Sequence, residues 1–152
     1  MNRSTTLIVI GCCLLAGLGQ ARGGWDDGEA AFMSGDYNRA LHAWQQLAEQ
    51  GDSSAQYNVG LMLFKGQGAA QDNEAAARWF RQAAAQQDAR ACYALGYLYQ
   101  RDQDAPDAPQ AVHWISLAAE QGLAEAQFNM GLLHLEGRDG LAQDYLKAAE
   151  WF

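Results

Sequence analysis

Beyond its first twenty-odd residues the chain has no threonine, and its only β-branched residues there are Val59, Val112 and Ile115. Strands draw preferentially on β-branched and aromatic residues, so a sheet has almost no raw material. Proline occurs twice in 152 residues, and 49% of the residues are hydrophobic against 18% charged, which excludes a disordered or collagen-like chain. Basic residues are also scarce: ten Lys and Arg stand against eighteen Asp and Glu, a net charge of −8. An acidic chain without a basic cluster repels nucleic acid and anionic lipid headgroups, so neither is an expected partner. What abounds is alanine, with 29 copies, the best helix former. The chain reads as all-α.

The N-terminus reads as a separate segment. Arg3 gives a short positive start, Leu7 to Leu18 is an apolar run, and Gly19-Gln20-Ala21 places small residues where a signal peptidase reads. Twelve apolar residues cannot cross a bilayer core that needs ~20. Residues 1–21 are therefore expected to be a cleaved signal peptide, with a mature domain over 22–152 outside the cytoplasm and no membrane span after cleavage. Val9-Ile10-Gly11 leading into Cys12 leaves lipid anchoring as a second form of export. Removing the leader also removes Cys12 and Cys13, so Cys92 would be the sole mature cysteine and no intrachain disulfide could form.

Self-similarity organises the remainder. Residues 54–64 (SAQYNVGLMLF), 90–100 (RACYALGYLYQ) and 125–135 (EAQFNMGLLHL) repeat one pattern, with Gly60, Gly96 and Gly131 spaced 36 and 35 apart. A second pattern follows each at 76–87, 111–122 and 148–152, with Trp79, Trp114 and Trp151 spaced 35 and 37 apart. Apolar residues recur at three- and four-residue intervals in both, so each reads as an amphipathic helix. Asp72 and Asp144 suit helix N-caps. The glycines of Gly66-Gln67-Gly68 suit positive φ in a turn; without a following Lys-Ser/Thr or a preceding strand they are no phosphate cradle.

A glycine inside a helix costs ~1 kcal/mol relative to alanine. Three at one repeat position imply close approach of the partner helix, with Ala84 and Ala119 as the expected facing residues and the tryptophans in the core between helices. Upstream, 25–52 is a shorter relative that turns at Gly35-Asp36-Tyr37 and looks like a tetratricopeptide-type hairpin, a starting cap for the stack.

Taken together, A-x-[YF]-x-[VLM]-G, then G-x-G-x-x-Q-D, then A-x-x-W-[FI] at a 35 to 37 residue period resemble the Sel1-like repeat family, relatives of the tetratricopeptide repeats. The first full unit carries Ala55, Tyr57, Gly60, Gly66, Gly68, Gln71, Asp72, Trp79 and Ala84. The resemblance implies a right-handed solenoid of αα-hairpins, divided here as 25–52, 53–88, 89–123 and an incomplete 124–152. Because the last helix would stop near Phe152 with Trp151 uncovered, the chain is expected to be a fragment of a longer array, or to be completed by another molecule.

Few residues suggest chemistry. His42, His113 and His134 lie on separate helices without carboxylates at ligand spacing, so no metal and no cofactor is expected. No serine sits in a nucleophile elbow. Cys92, between Ala91 and Tyr93, is the single candidate nucleophile, and in that position a cysteine behaves as a small hydrophobe. Some secreted relatives by resemblance are cysteine-rich and linked to β-lactam binding; this chain lacks their paired cysteines. An enzyme acting on β-lactam or cell-wall substrates, or a structural segment of a longer envelope protein, stands as the alternative.

The expected function is a non-catalytic, exported bacterial scaffold for protein–protein interaction. In an αα-hairpin solenoid the first helices line the concave face. One stripe on each is expected to pack on its own second helix: Ala55/Val59/Met62, Ala91/Leu95/Leu98 and Ala126/Met130/Leu133. The offset stripe is the candidate partner-binding surface: Tyr57/Leu61/Phe64, Tyr93/Tyr97/Gln100 and Phe128/Leu132/Leu135. Acidic surroundings would favour basic or neutral partners.

Overall fold

A computed structural model describes residues 23–101 and 107–152, and in them all regular structure is helical. The expected leader and Cys12 lie outside the described residues. Helix α1 spans 23–33, followed by α2 (Tyr37–Glu49), α3 (Ser53–Lys65), α4 (Asn73–Ala85), α5 (Ala89–Arg101), α6 (Ala108–Glu120), α7 (Ala124–Glu136) and α8 (Tyr145–Trp151). From α2 onwards each helix packs on the next in sequence. The result is a right-handed solenoid of αα-hairpins.

Aspartate starts nearly every helix. The carboxylates of Asp36, Asp52, Asp72 and Asp107 each accept from the backbone N–H three residues on, at 2.8–3.1 Å. Asp144 accepts from both Leu146 and Lys147. Each satisfies a donor that a helix start otherwise leaves open, worth ~1 kcal/mol. Only two of these caps stood out in the sequence. Between units the chain turns through a left-handed residue at one repeat position: Gly51 (φ 97°), Gln87 (φ 63°) and Gly122 (φ 86°). Gly66 and Gly68 also have positive φ, as their turn requires.

The repeat glycines do mark close helix approach, against different residues from those expected. A Cβ on Gly60 would stand 2.7 Å from the Phe80 ring, and one on Gly96 would stand 2.5 Å from Ile115 Cγ1 and 3.0 Å from the Ala111 carbonyl oxygen. Gly131 faces Phe152 in the same way. The facing residue is thus the one after each tryptophan. Ala84 and Ala119 are buried elsewhere in the core. Gly28 repeats the arrangement against Trp44 in the first hairpin, a match hidden by the shorter α1–α2 turn. Trp79, Trp114 and Trp151 are correspondingly half-buried, packed on the core margin rather than at its centre.

Two buried clusters run along the stack. The first joins Ala40, Leu41, Trp44, Leu47 and Ala48 of α2 to Ala55, Val59 and Met62 of α3. The Ala55/Val59/Met62 stripe therefore shares a cluster with the preceding hairpin; Trp79 of its own second helix, α4, also packs against that cluster, while Gly60 gives the closest approach to α4. The second cluster spans α4 to α7 and contains Phe80, Leu95, Ile115 and Met130, with Ala91 and Ala126 at the unit junctions. Leu98 is only half-buried.

Candidate functional site

The first-helix surface contains a groove of about 160 Å³ between α3 and α5. From α3 come Tyr57, Leu61 and Phe64, from α5 Arg90, Tyr93, Ala94, Tyr97 and Leu98, and Phe80 of α4 forms part of its wall. Tyr57, Leu61 and Phe64 share one helix face because they are four and three residues apart. Their inner edges pack on the second buried cluster while each side chain stays partly open. Phe64 and Tyr97 meet edge to face across the groove with centroids 6.0 Å apart, and Tyr57 tilts against Phe80 at 5.8 Å. Such pairs fix ring positions without closing the cleft.

A guanidinium stacks near each end of the α5 side. Arg90 lies over the Tyr57 ring, 4.7 Å from its centroid, and Arg101 lies 5.3 Å from that of Tyr97 and donates to its hydroxyl oxygen. Burial pushes the Tyr57 phenol above its ordinary pKa, with Arg90 opposing that rise, so the hydroxyl stays protonated at neutral pH.

Five of the nine expected surface residues come together here: Tyr57, Leu61, Phe64, Tyr93 and Tyr97. Gln100 does not line the groove; its amide donates to Asp139 Oδ2 at 2.6 Å and ties α5 to the α7–α8 turn. Phe128, Leu132 and Leu135 lie further along the stack, Phe128 and Leu135 exposed and Leu132 half-buried, with Phe128 packed on Phe152 at 5.6 Å. Arg90 escaped the sequence reading because a lone arginine in a helical first turn looks like solvated surface; its place two residues after Asp88 was the available signal.

The residues considered for chemistry lie apart from the groove. Cys92 is fully buried, burial pushes its thiol up, and its sulfur lies 3.9 Å from the Gln121 amide nitrogen. A protonated, enclosed thiol is a poor nucleophile. At the same repeat position Gln56 and Gln127 donate to the Ala48 and Ala119 carbonyls of the preceding hairpin, at 3.1 and 3.2 Å. That position holds repeats together; Cys92 fills it without a bond to the preceding hairpin, its sulfur accepting from the Gln121 amide of its own unit instead. His42 and His113 are exposed; His134 is buried, with no partner for Nδ1 among the described residues. Among the described residues no three His, Cys, Asp or Glu side chains cluster as metal ligands, and no helix is long and apolar enough to cross a membrane.

Stacked hairpins with a first-helix groove define an α-solenoid scaffold, the class of protein whose surfaces serve protein–protein interaction. The Sel1 repeat model matches residues 10–52, 53–88, 89–123 and 124–152, and the chain belongs to the Sel1 repeat family. It is similar to the crystal structure of a Sel1 repeat protein from Oxalobacter formigenes, with 33% identity and a TM-score of 0.71 over 76% of this chain and 33% of that one. It is also similar to a protective antigen of uropathogenic Escherichia coli strains with an SLR fold, with 33% identity and a TM-score of 0.79 over 91% of this chain and 30% of that one. The chain thus spans about a third of the length of both.

Proposed function

We propose that the protein is an exported, non-catalytic bacterial adaptor that holds a segment of another protein in the α3–α5 groove on the concave face. The observation that carries this reading is the groove's size and lining. At about 160 Å³ it is smaller than the ~300–1,000 Å³ typical of small-molecule and cofactor sites, and it suits one anchoring side chain. Its open tyrosines supply the rigid amphipathic contact favoured in interfaces. The neighbouring stripe Phe128/Leu132/Leu135 extends the same surface along the array, and Gln100 supports it through Asp139.

Export rests on Arg3, the apolar run and Gly19-Gln20-Ala21, with 1–21 removed and the repeat domain over 22–152 divided as 25–52, 53–88, 89–123 and 124–152. Mass measurement of the mature protein tests this. A start near Arg22 supports it, and a lipid-modified Cys12 would indicate anchoring instead.

Binding is tested with a photoreactive residue at Tyr97 and a control at exposed Arg81 of α4. One dominant partner from Tyr97 alone is the expected result; equal recovery from both overturns the groove. Tyr97→Ala should weaken affinity for that partner by ~2 kcal/mol or more, as contact aromatics do, while the helical signal and unfolding midpoint stay close to wild type. Loss of helicity would make Tyr97 a core residue. Turnover of a chromogenic β-lactam by the mature protein, abolished by Cys92→Ala, would overturn the non-catalytic reading.

A further inference from the structure

The groove differs in charge from the chain that contains it. Among its lining residues Arg90 alone is charged and no carboxylate is present, although acidic side chains outnumber basic ones eighteen to ten in the sequence. Arg90 is held on three sides. Asp88 accepts from Nε at 3.0 Å and from Nη2 at 2.6 Å, Ser54 Oγ lies 3.1 Å from Nη2, and the Tyr57 ring lies beneath. Nη1 donates to no described residue. The Asp88 side chain is 6% exposed against 46% for Arg90, so the compensating carboxylate is withdrawn and an incoming group meets the cation. A guanidinium fixed in advance loses little freedom on binding, and its planar edge matches a carboxylate. This local charge runs against the expectation of basic or neutral partners.

Given the reading of the groove as a peptide site, we infer that its occupant is an acidic segment whose apolar side chain seats beside Leu61, Ala94 and Tyr97, with an adjacent Asp or Glu carboxylate accepting a hydrogen bond from Arg90 Nη1. Asp52 and Asp88 lie along the rim formed by the starts of α3 and α5, and Glu125 lies at the start of α7. A segment with many acidic residues would meet these carboxylates, so the recognised pattern is one acid beside one anchor. A lysine at that position would face the like charge of the guanidinium.

The test is selection of a random peptide display library on the immobilised protein, followed by fluorescence anisotropy with the synthesised winner. The expected winner carries Asp or Glu within one helical turn of a large apolar residue and loses affinity with Tyr97→Ala. Converting its acid to the amide should weaken binding ~10-fold or more, as loss of a charged hydrogen bond does. Arg90→Gln should weaken it similarly, and the two changes together no further, because both remove one contact. Arg90→Lys, which keeps the charge, should retain part of the preference, so the test survives if Arg90→Gln fails to fold. Winners without acidic preference, or with basic residues, overturn the inference and leave the groove. Winners indifferent to Tyr97→Ala, or no saturable binder at all, overturn the groove itself.

Discussion

Phe80 and Phe152 occupy the same repeat position, each set against its repeat glycine, Gly60 or Gly131, yet Phe80 is 1% exposed and Phe152 63%. Within its own hairpin each ring has an equivalent contact. α5 packs on α4 and completes the cluster around Phe80, a contact that the described residues do not supply to Phe152. Five of the six large exposed hydrophobic residues in the described chain, Phe128, Leu135, Tyr145, Leu146 and Phe152, belong to this last unit. In a stack of repeats, burial is a property of the junction as much as of the residue.

The largest expected effect tests that contrast directly. Phe80→Ala removes a fully buried ring and should cost ~3–5 kcal/mol in chemical unfolding, whereas Phe152→Ala in the 152-residue chain should cost less than ~1.5 kcal/mol because most of its ring is exposed there. Equal losses would mean that the glycine contact, rather than the neighbouring unit, dominates.

The glycines give a finer comparison. At Gly96 a new Cβ meets both Ile115 and the Ala111 carbonyl, and backbone cannot step aside. Gly96→Ala should destabilise by ~1–3 kcal/mol. At Gly131 the obstacle is the outer part of one partly solvated ring. There the ring can swing out and the helix gains ~1 kcal/mol from alanine, so Gly131→Ala should leave the thermal midpoint nearly unchanged.

The inter-unit turns give smaller effects. Gln87 takes the left-handed conformation that Gly51 and Gly122 adopt at the same repeat position, at a steric cost to a side chain of ~1–2 kcal/mol. Gln87→Gly should therefore stabilise by ~1 kcal/mol or less, part of the relief being offset by the freer unfolded chain and by loss of the glutamine side chain. A fall in midpoint would show that the side chain contributes more than the strain removes.

The smallest effect belongs to the last helix. Hydrogen bonds from Lys147 and Leu146 N–H hold the Asp144 carboxyl below its ordinary range, with partial desolvation opposing. A pKa depressed on folding gives stability that is complete above the unfolded carboxylate range and lost as pH falls through the folded value. Asp144→Asn should flatten that acid-side loss in the α8 signal, for example in amide exchange at Lys147, with little change at neutral pH.

Much of the fold was legible in the sequence because helices and turns answer to local rules. Alanine content, the spacing of Gly60, Gly96 and Gly131, and the acids before α4 and α8 each act within a few residues of chain. The partner of each glycine was not legible, because one turn separates Phe80 from Ala84 and only the helix crossing selects between them. Nor was the destination of the Ala55/Val59/Met62 stripe: α3 is apolar on more than one side, and periodicity does not label the neighbour. The candidate groove was half legible, its aromatic residues by repeat alignment, Arg90 only once Asp88, Ser54 and Tyr57 surrounded it.

The sequence by itself determined a helical repeat of about 35 residues, some of its starts and turns, and the family to which it belongs, because backbone preference and hydrogen-bond capping are settled within a turn or two. Tertiary structure decided which apolar face meets which hairpin, how the neighbouring unit encloses Phe80, and that Arg90, held by Asp88 and Ser54, lines a cleft in an acidic chain. Those outcomes depend on groups up to 36 residues apart in sequence, such as Arg90 and Ser54, brought together only when the hairpins stack.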